Sequence, residues 1–396
     1  MHDLIVIGGG PAGTAAAITA ARAGGRVLLL ERGRFPRHKV CGEFVSAESL
    51  GILRELLSSS PANAPHCAPC HPDAGRSRAE GSMYFGGSHA SSRVGNSDSL
   101  LANSLRIPRA RVFLDDQVLE TPVDPPAASI ARIDLDAALW NAAESASVDA
   151  RQQIAAQNIS GSGPFLVSTS PGEFESRAVI NASGRWSNLN SGAPGEKSKT
   201  KWLGLKAHFA EPSPELSVDL YFFQNGYCGV QPVGPGRVNA CAMVRSDVAS
   251  SLSEVFALHP ALYQRSAAWK PLIDPVSTSP LIFRDPQPAQ DGVLLVGDAA
   301  GFVDPFIGDG ISLALRSGTL AAQCLEPFLL RNATFSETVS RYREAYVSSL
   351  LPIFRASSTI RRALRFPRTI RRPLLRLLRR TPAMTRYLVN RTRQAN

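Results

Sequence analysis

The first 31 residues constrain this 396-residue chain more than any other stretch. Residues 3–7 (Asp-Leu-Ile-Val-Ile) read as a buried strand, and residues 11–23 are alanine-rich and helix-forming. Residues 27–31 are a second apolar strand that closes on an acid, Glu31. Between the first strand and the helix stands Gly8-Gly9-Gly10-Pro11-Ala12-Gly13, a G-x-G-x-x-G turn. Gly8 permits the tight turn, Gly10 lets the backbone approach a diphosphate, and Gly13 lets helix and sheet pack closely. The helix start, with Pro11 and Ala12 in its first turn, presents N–H groups and the positive end of its dipole to the phosphates. Glu31, 18 residues beyond Gly13, is placed to accept hydrogen bonds from a ribose diol. The unit predicts a dinucleotide site, and alone it does not separate FAD from NAD.

Two later stretches make that separation. Val293-Leu294-Leu295-Val296 is an apolar strand that delivers Gly297-Asp298-Ala299-Ala300-Gly301 at its end. It continues through Asp304 and Gly308-Asp309-Gly310-Ile311 into a helix. A helix N-terminus facing the pyrimidine end of a flavin stabilises the negative charge that gathers there on reduction. Val179-Ile180-Asn181-Ala182-Ser183-Gly184-Arg185-Trp186-Ser187 is another strand end of the same kind.

These segments resemble flavoproteins of the geranylgeranyl reductase and flavin monooxygenase (p-hydroxybenzoate hydroxylase-like) superfamily. The resemblance covers residues 1–60, 110–190 and 285–325. It implies that Asp298 holds ribityl hydroxyls, that Gly184 borders the diphosphate, and that Gly297, Gly308, Gly310 and Ile311 lie along the flavin. Aromatic hydroxylases usually carry Asp where this chain has Ser183. The loop Arg32-Gly33-Arg34-Phe35-Pro36-Arg37-His38-Lys39-Val40-Cys41-Gly42-Glu43 resembles the flavin loop of geranylgeranyl reductases, with Arg32, Lys39, Cys41 and Gly42 as expected cofactor contacts. Cys41 reads as a packing residue near the ring or as one with a redox or tuning role. Arg132, just before a helix, matches an arginine that often contacts FAD in these families.

The expected fold is α/β, a three-layer Rossmann-type FAD domain interrupted by an antiparallel sheet and followed by a helical C-terminal segment. The FAD domain is expected over 1–60, 110–190 and 285–330, with an irregular insertion at 61–109 rich in Pro, Ser, Gly, Asn and His. Residues 200–284 carry short β-branched and aromatic runs, with Gly234-Pro235-Gly236-Arg237 as a turn, and read as a substrate sheet. Its aromatics (Phe209, Tyr221, Phe222, Phe223, Tyr227) point to a hydrophobic substrate such as an isoprenoid or polyketide.

The six cysteines are scattered and read as thiols, and the N-terminus lacks a signal-peptide pattern, which predicts a cytoplasmic protein. Cys67-Ala68-Pro69-Cys70-His71 matches the haem-attachment pattern C-x-x-C-H, but its low-complexity setting argues for coincidence. No metal site is expected. Thirteen arginines lie at or beyond Arg355, more than the whole formal net charge of +10. The basic character therefore belongs to the tail (331–396), and the rest of the chain is slightly acidic. Leu, Ile and Phe at near-helical spacing there suit either a cap on the flavin domain or an amphipathic surface on an anionic membrane. Nucleic acid is a poor fit, because no binding module accompanies the charge.

The expected activity is reduction or dehydrogenation of a carbon–carbon bond by hydride transfer at flavin N5, with NADPH or NADH as electron donor. Cys41-Gly42 and Gly301 favour it over the rival, monooxygenation through a C4a-hydroperoxide. Halogenation is disfavoured, because no Trp-x-Trp-x-Ile-Pro sequence is present. A reading of another class is a catalytically silent flavoprotein recruited to a membrane or partner by its tail. Candidate catalytic residues, by location alone, are Cys41, Glu43, Tyr227 and Asp304.

Overall fold

A computed structural model describes residues 1–58, 97–185, 189, 201–278, 281, 285–302, 306, 308–364, 369, 372 and 373. Two sheets organise them. The first runs, edge to edge, Ala289–Gln290, Val293–Leu295, Gly172–Asn181, His2–Ile7, Val27–Glu31, Asp149–Gln152, with Ala156–Gly161 and Phe165–Thr169 as a hairpin on Gly172–Asn181. Its central pairings are parallel. The chain's first strand therefore lies mid-sheet, its last four residues wholly buried, as continuous apolar strands of parallel sheets are. The helix Pro11–Arg22 packs on this sheet, and Gly310–Leu329 crosses that helix closely: a Cβ at Gly318 would stand 2.1 Å from the Ala12 carbonyl oxygen.

The second sheet runs Lys270–Pro271, Trp202–Ala210, Arg237–Arg245, Gly226–Gly234, Ser217–Phe223, Leu105–Leu114, Gln117–Ser129, Phe44–Val45. All its pairings are antiparallel except that of Ser217–Phe223 with Leu105–Leu114. Here the structure corrects the expected boundaries. Residues 105–129 belong to this sheet, neither to an irregular insertion ending at 109 nor to the flavin sheet. The reason is a hairpin whose turn residues Asp115 and Asp116 both have positive φ (52° and 62°), the pair that a two-residue hairpin turn demands. Residues 59–96, with the C-x-x-C-H sequence, lie outside the described residues.

Strand alternation divides the aromatics of the second sheet between two faces. Tyr221 and Phe223 face the helices Leu252–Ala257 and Pro260–Ser266, where Phe209, Phe256 and Trp269 complete an apolar core. Phe222 and Tyr227 face the other way, with Met243, Leu281, Phe302 and Phe306. Of the five aromatics that mark this sheet as apolar, Phe222 and Tyr227 therefore lie on the face turned away from those helices. At the C-terminus the helix Leu351–Leu364 buries Ile353 and Phe354 against the flavin-sheet core. The proline-broken remainder of the tail is almost entirely outside the described residues. No helix among them is long and apolar enough to cross a membrane.

Candidate active site

The two sheets meet around a cavity of about 520 Å³, within the range of small-molecule and cofactor sites. One end is the glycine turn. Gly8 has φ +111°, and a Cβ on it would lie 2.3 Å from the Ala182 carbonyl oxygen. One on Gly13 would lie 1.8 Å from the Gly8 carbonyl oxygen. Gly10 differs: around its Cβ position the nearest atoms are Lys39 Nζ (3.8 Å) and Arg132 Nη2 (4.0 Å). The space above it is thus bounded by cations and by the N-terminus of the helix Pro11–Arg22, which suits a diphosphate. Gly8, Gly10, Pro11 and Ala12 line the cavity, whereas Gly13 sets the packing behind it.

Charges around this turn are unevenly matched. Asp136 is fully buried and accepts two hydrogen bonds from Arg132 (both 2.7 Å), with Lys39 Nζ 3.5 Å away. Burial alone would raise the Asp136 pKa, but Arg132 and Lys39 hold it below the ordinary carboxylate range. Burial works against the Arg132 charge as well, and Asp136 more than reverses this, raising its pKa. Two cations share one carboxylate, so one positive charge is left over for an anion. Beside them, Glu31 accepts from Gly9 N (2.9 Å), Gly33 N (2.8 Å) and Arg37 Nη2 (2.7 Å). Its pKa lies low: burial pushes upward, but the charges of Lys39 and Arg37 and the two backbone donors outweigh it. An ionised acceptor at the cavity wall fits a ribose diol, and exposed Arg32 lies at the same end.

At the other end Gly184 (φ +78°), Gly297, Asp298, Gly308, Gly310 and Ile311 converge on the cavity. The helix Gly310–Leu329 begins there. Arg185 Nη1 stands 3.8 Å from Asp298 Oδ2, its guanidinium 4.2 Å above the Phe302 ring. Arg185 was not among the predicted contacts, although its place directly after Gly184 was the available signal. Beyond it, the rings of Phe222, Tyr227 and Phe306 form a triangle with centroids 5.6, 5.8 and 6.0 Å apart. Tyr227, Met243, Leu281 and Phe302 present this apolar cluster to the cavity.

The middle wall is the loop from His38 to Glu43, including Cys41 and Gly42. Asn239 donates to the Cys41 carbonyl (3.0 Å), and Gln231 donates to that of Glu43 (2.9 Å). The Glu43 carboxylate is fully buried and accepts from Arg132 N (2.8 Å), Lys206 Nζ and His208 Nε2 (2.8 Å). Lys206 and His208 had no signal in the sequence beyond being polar in an apolar strand. Of the four catalytic candidates, Cys41, Glu43 and Tyr227 line one cavity, and Asp304 lies outside the described residues. Every predicted cofactor contact except Gly13 lines it too.

This donor set fits FAD: a cationic glycine turn beside a carboxylate, then a strand-end aspartate and a helix N-terminus, all along one cavity. Comparison with known proteins agrees. Residues 3–36 match the family model described as FAD dependent oxidoreductase. The chain is 23% identical over 389 residues to conditioned medium factor receptor 1 of Dictyostelium discoideum, covering 93% of this chain and 72% of that protein. It is 28% identical over 364 residues to menaquinone reductase of Mycobacterium tuberculosis, covering 87% and 81%. Digeranylgeranylglycerophospholipid reductase 2 of Methanopyrus kandleri matches at 25% identity, over 87% and 82%. Among solved structures, the flavin-dependent brominase Bmp2 superposes with a TM-score of 0.75 at 19% identity, covering 99% of this chain and 93% of that one, which establishes the shared fold.

Proposed function

We infer that this chain, an FAD-dependent oxidoreductase of the geranylgeranyl reductase and flavin monooxygenase superfamily, reduces a carbon–carbon double bond of an isoprenoid-type substrate. The observation that carries this reading is the continuity of one cavity from the cationic glycine turn to the aromatic triangle. The first end suits a diphosphate and the second an unsaturated hydrocarbon. Relatives named for menaquinone and for digeranylgeranylglycerophospholipid supply the same substrate chemistry.

Glu31, Lys39, Arg132 and the helix Pro11–Arg22 would hold the adenosine and diphosphate end of FAD. Asp298 and the start of the helix Gly310–Leu329 would hold the flavin end. Bound there, FAD would supply hydride-transfer chemistry beside the apolar end of the cavity. The chain's own residues do the rest: Tyr227, Met243, Leu281 and Phe302 orient the apolar substrate and exclude water from it. Cys41 and Glu43 form the wall between cofactor and substrate regions.

The test is anaerobic reduction of the holoenzyme by NADPH or NADH, followed by a panel of polyprenyl quinones, polyprenyl lipids and aromatic polyketides. The reading expects cofactor reoxidation without oxygen and a product carrying two more hydrogens. A product formed only with oxygen and containing one of its atoms would refute it in favour of monooxygenation. The tail belongs to the same proposal: its arginines and apolar residues bring the enzyme to an anionic membrane that holds such substrates.

A further inference from the structure

The substrate sheet has a polar side where it touches the flavin loop. Lys206 and His208 are alternate residues of Trp202–Ala210 and therefore share a face. Across the neighbouring strands, His208, Asn239 and Gln231 form one row, and Lys206, Cys241 and Gly229 the next. The following row, Gly204, Met243 and Tyr227, is already the apolar wall of the cavity. The sheet face passes from ion cluster to substrate wall within two rows, each about 7 Å from the next.

Glu43 is held unusually hard at this junction. Its φ is +62°, an uncommon conformation for a residue with a side chain, and one that persists only where surroundings over-determine it. Its carbonyl accepts from Ile130 N (3.0 Å) and Gln231 Nε2, and its carboxylate from Lys206, His208 and Arg132 N. A buried ion pair is a weak device for stability, since apolar residues of equal volume often serve as well. The cluster also has an outlet. The His38 ring stands edge-on to that of His208 with centroids 5.2 Å apart, lines the cavity and is partly exposed. Its buried Nδ1 has no hydrogen-bond partner among the described residues.

We propose that Glu43, His208 and Lys206 form a proton relay, refilled through His38, that protonates the substrate during reduction. The proposal rests on the reductase reading above. In that reaction the carbon–carbon π bond breaks and the hydride from the reduced cofactor forms one C–H bond. The electron pair left on the second carbon takes a proton relayed from His208 through the Glu43 carboxylate, and this forms the other. Glu43 passes the proton on as it receives it and is an anion before and after the step, and His208 is recharged from water by way of His38. The reductant is the nicotinamide donor, and the proton comes from solvent. Lys206 is a positioning residue: its charge keeps Glu43 an anion between turnovers. Other charged or titratable groups facing the cluster are Cys41, Asp134, Arg237 and Cys241.

The test is single-turnover oxidation of the anaerobically reduced holoenzyme by a polyprenyl lipid that carries no quinone ring, from pH 5.5 to 8.5, in H₂O and D₂O. FAD content and Tm are recorded for each variant. Wild type is expected to slow as pH rises and to show a solvent isotope effect. In His208→Gln both dependences should vanish, with the rate down about 10²- to 10⁴-fold, the usual range for a positioned acid. Glu43→Gln should match it, and Lys206→Met should lose less. Variants that keep FAD and also keep the wild-type pH profile and isotope effect would overturn the relay. A second readout needs neither substrate nor substitution: the reduced-minus-oxidised infrared spectrum of wild type labelled in Glu and His. Carboxylate and imidazole bands that change on reduction support the relay, and their absence overturns it. If those bands change while no polyprenyl substrate is reduced, the relay stands and the assigned substrate class is wrong.

Discussion

At Gly13 a single hydrogen separates the helix from the turn that feeds it, because a Cβ there would lie 1.8 Å from the Gly8 carbonyl oxygen. Gly13→Ala is therefore expected to lose FAD and about 1–3 kcal/mol of stability, the usual cost of overpacking. Flavin absorbance of the purified protein and urea unfolding check both. Charge makes a second prediction at this scale. Glu31, Asp136 and Glu43 all have pKa values below the ordinary carboxylate range in the folded chain. For Glu43, burial pushes upward and is outweighed by the hydrogen bond from His208 and the charge of Lys206. A depressed folded value means stability that is complete above about pH 4.3, the unfolded value of a glutamate, and is lost as pH falls through the folded values. Tm should thus be flat near neutrality and drop in acid. Glu31→Gln should flatten part of that drop, and an unchanged acid slope would contradict the assignment. Residue-scale chemistry was legible where a motif carries it: Gly8, Glu31 and Asp298 all reach the cavity. Lys206, His208 and Arg185 were not, since only the meeting of two distant strands or loops gives each its partner.

Whole elements explain why some aromatics line the cavity and others do not. Composition marked residues 200–284 as apolar, but strand register decides which face each ring takes, and a one-residue step reverses it. Tyr227 and Phe209 separate the two roles. Tyr227→Leu should raise KM for a polyprenyl substrate with little change in Tm. Phe209→Ala should cost about 3–5 kcal/mol and leave KM alone, because its ring packs on Phe256 and Trp269 beneath the outer helices. Equal effects of the two on KM would count against the assigned faces. The hairpin Leu105–Leu114 and Gln117–Ser129 escaped the sequence reading for a related reason. Its strands are only half-buried, so their apolar pattern is weak, and Asp115-Asp116 is a less familiar turn than Asn-Gly.

At the scale of the molecule, the cofactor half was readable because its strands bury both faces and its turns repeat known solutions for binding a dinucleotide. The substrate half was readable only as texture, since pockets between sheets leave no local pattern. The tail combines both cases. Ile353 and Phe354 are core residues, so a truncation that tests membrane binding belongs after Leu364. It removes ten of the thirteen tail arginines and should abolish salt-sensitive binding to anionic liposomes while FAD content persists. Undiminished liposome binding would refute that role.

The central claim is that this cavity joins a flavin to an unsaturated hydrocarbon for reduction. Its most direct test is mass analysis of the product after one anaerobic turnover of reduced holoenzyme with a polyprenyl lipid that carries no quinone ring. The account predicts a product with two added hydrogens, both bound to carbon at a former double bond. A product unchanged without oxygen and oxygenated in its presence would contradict it.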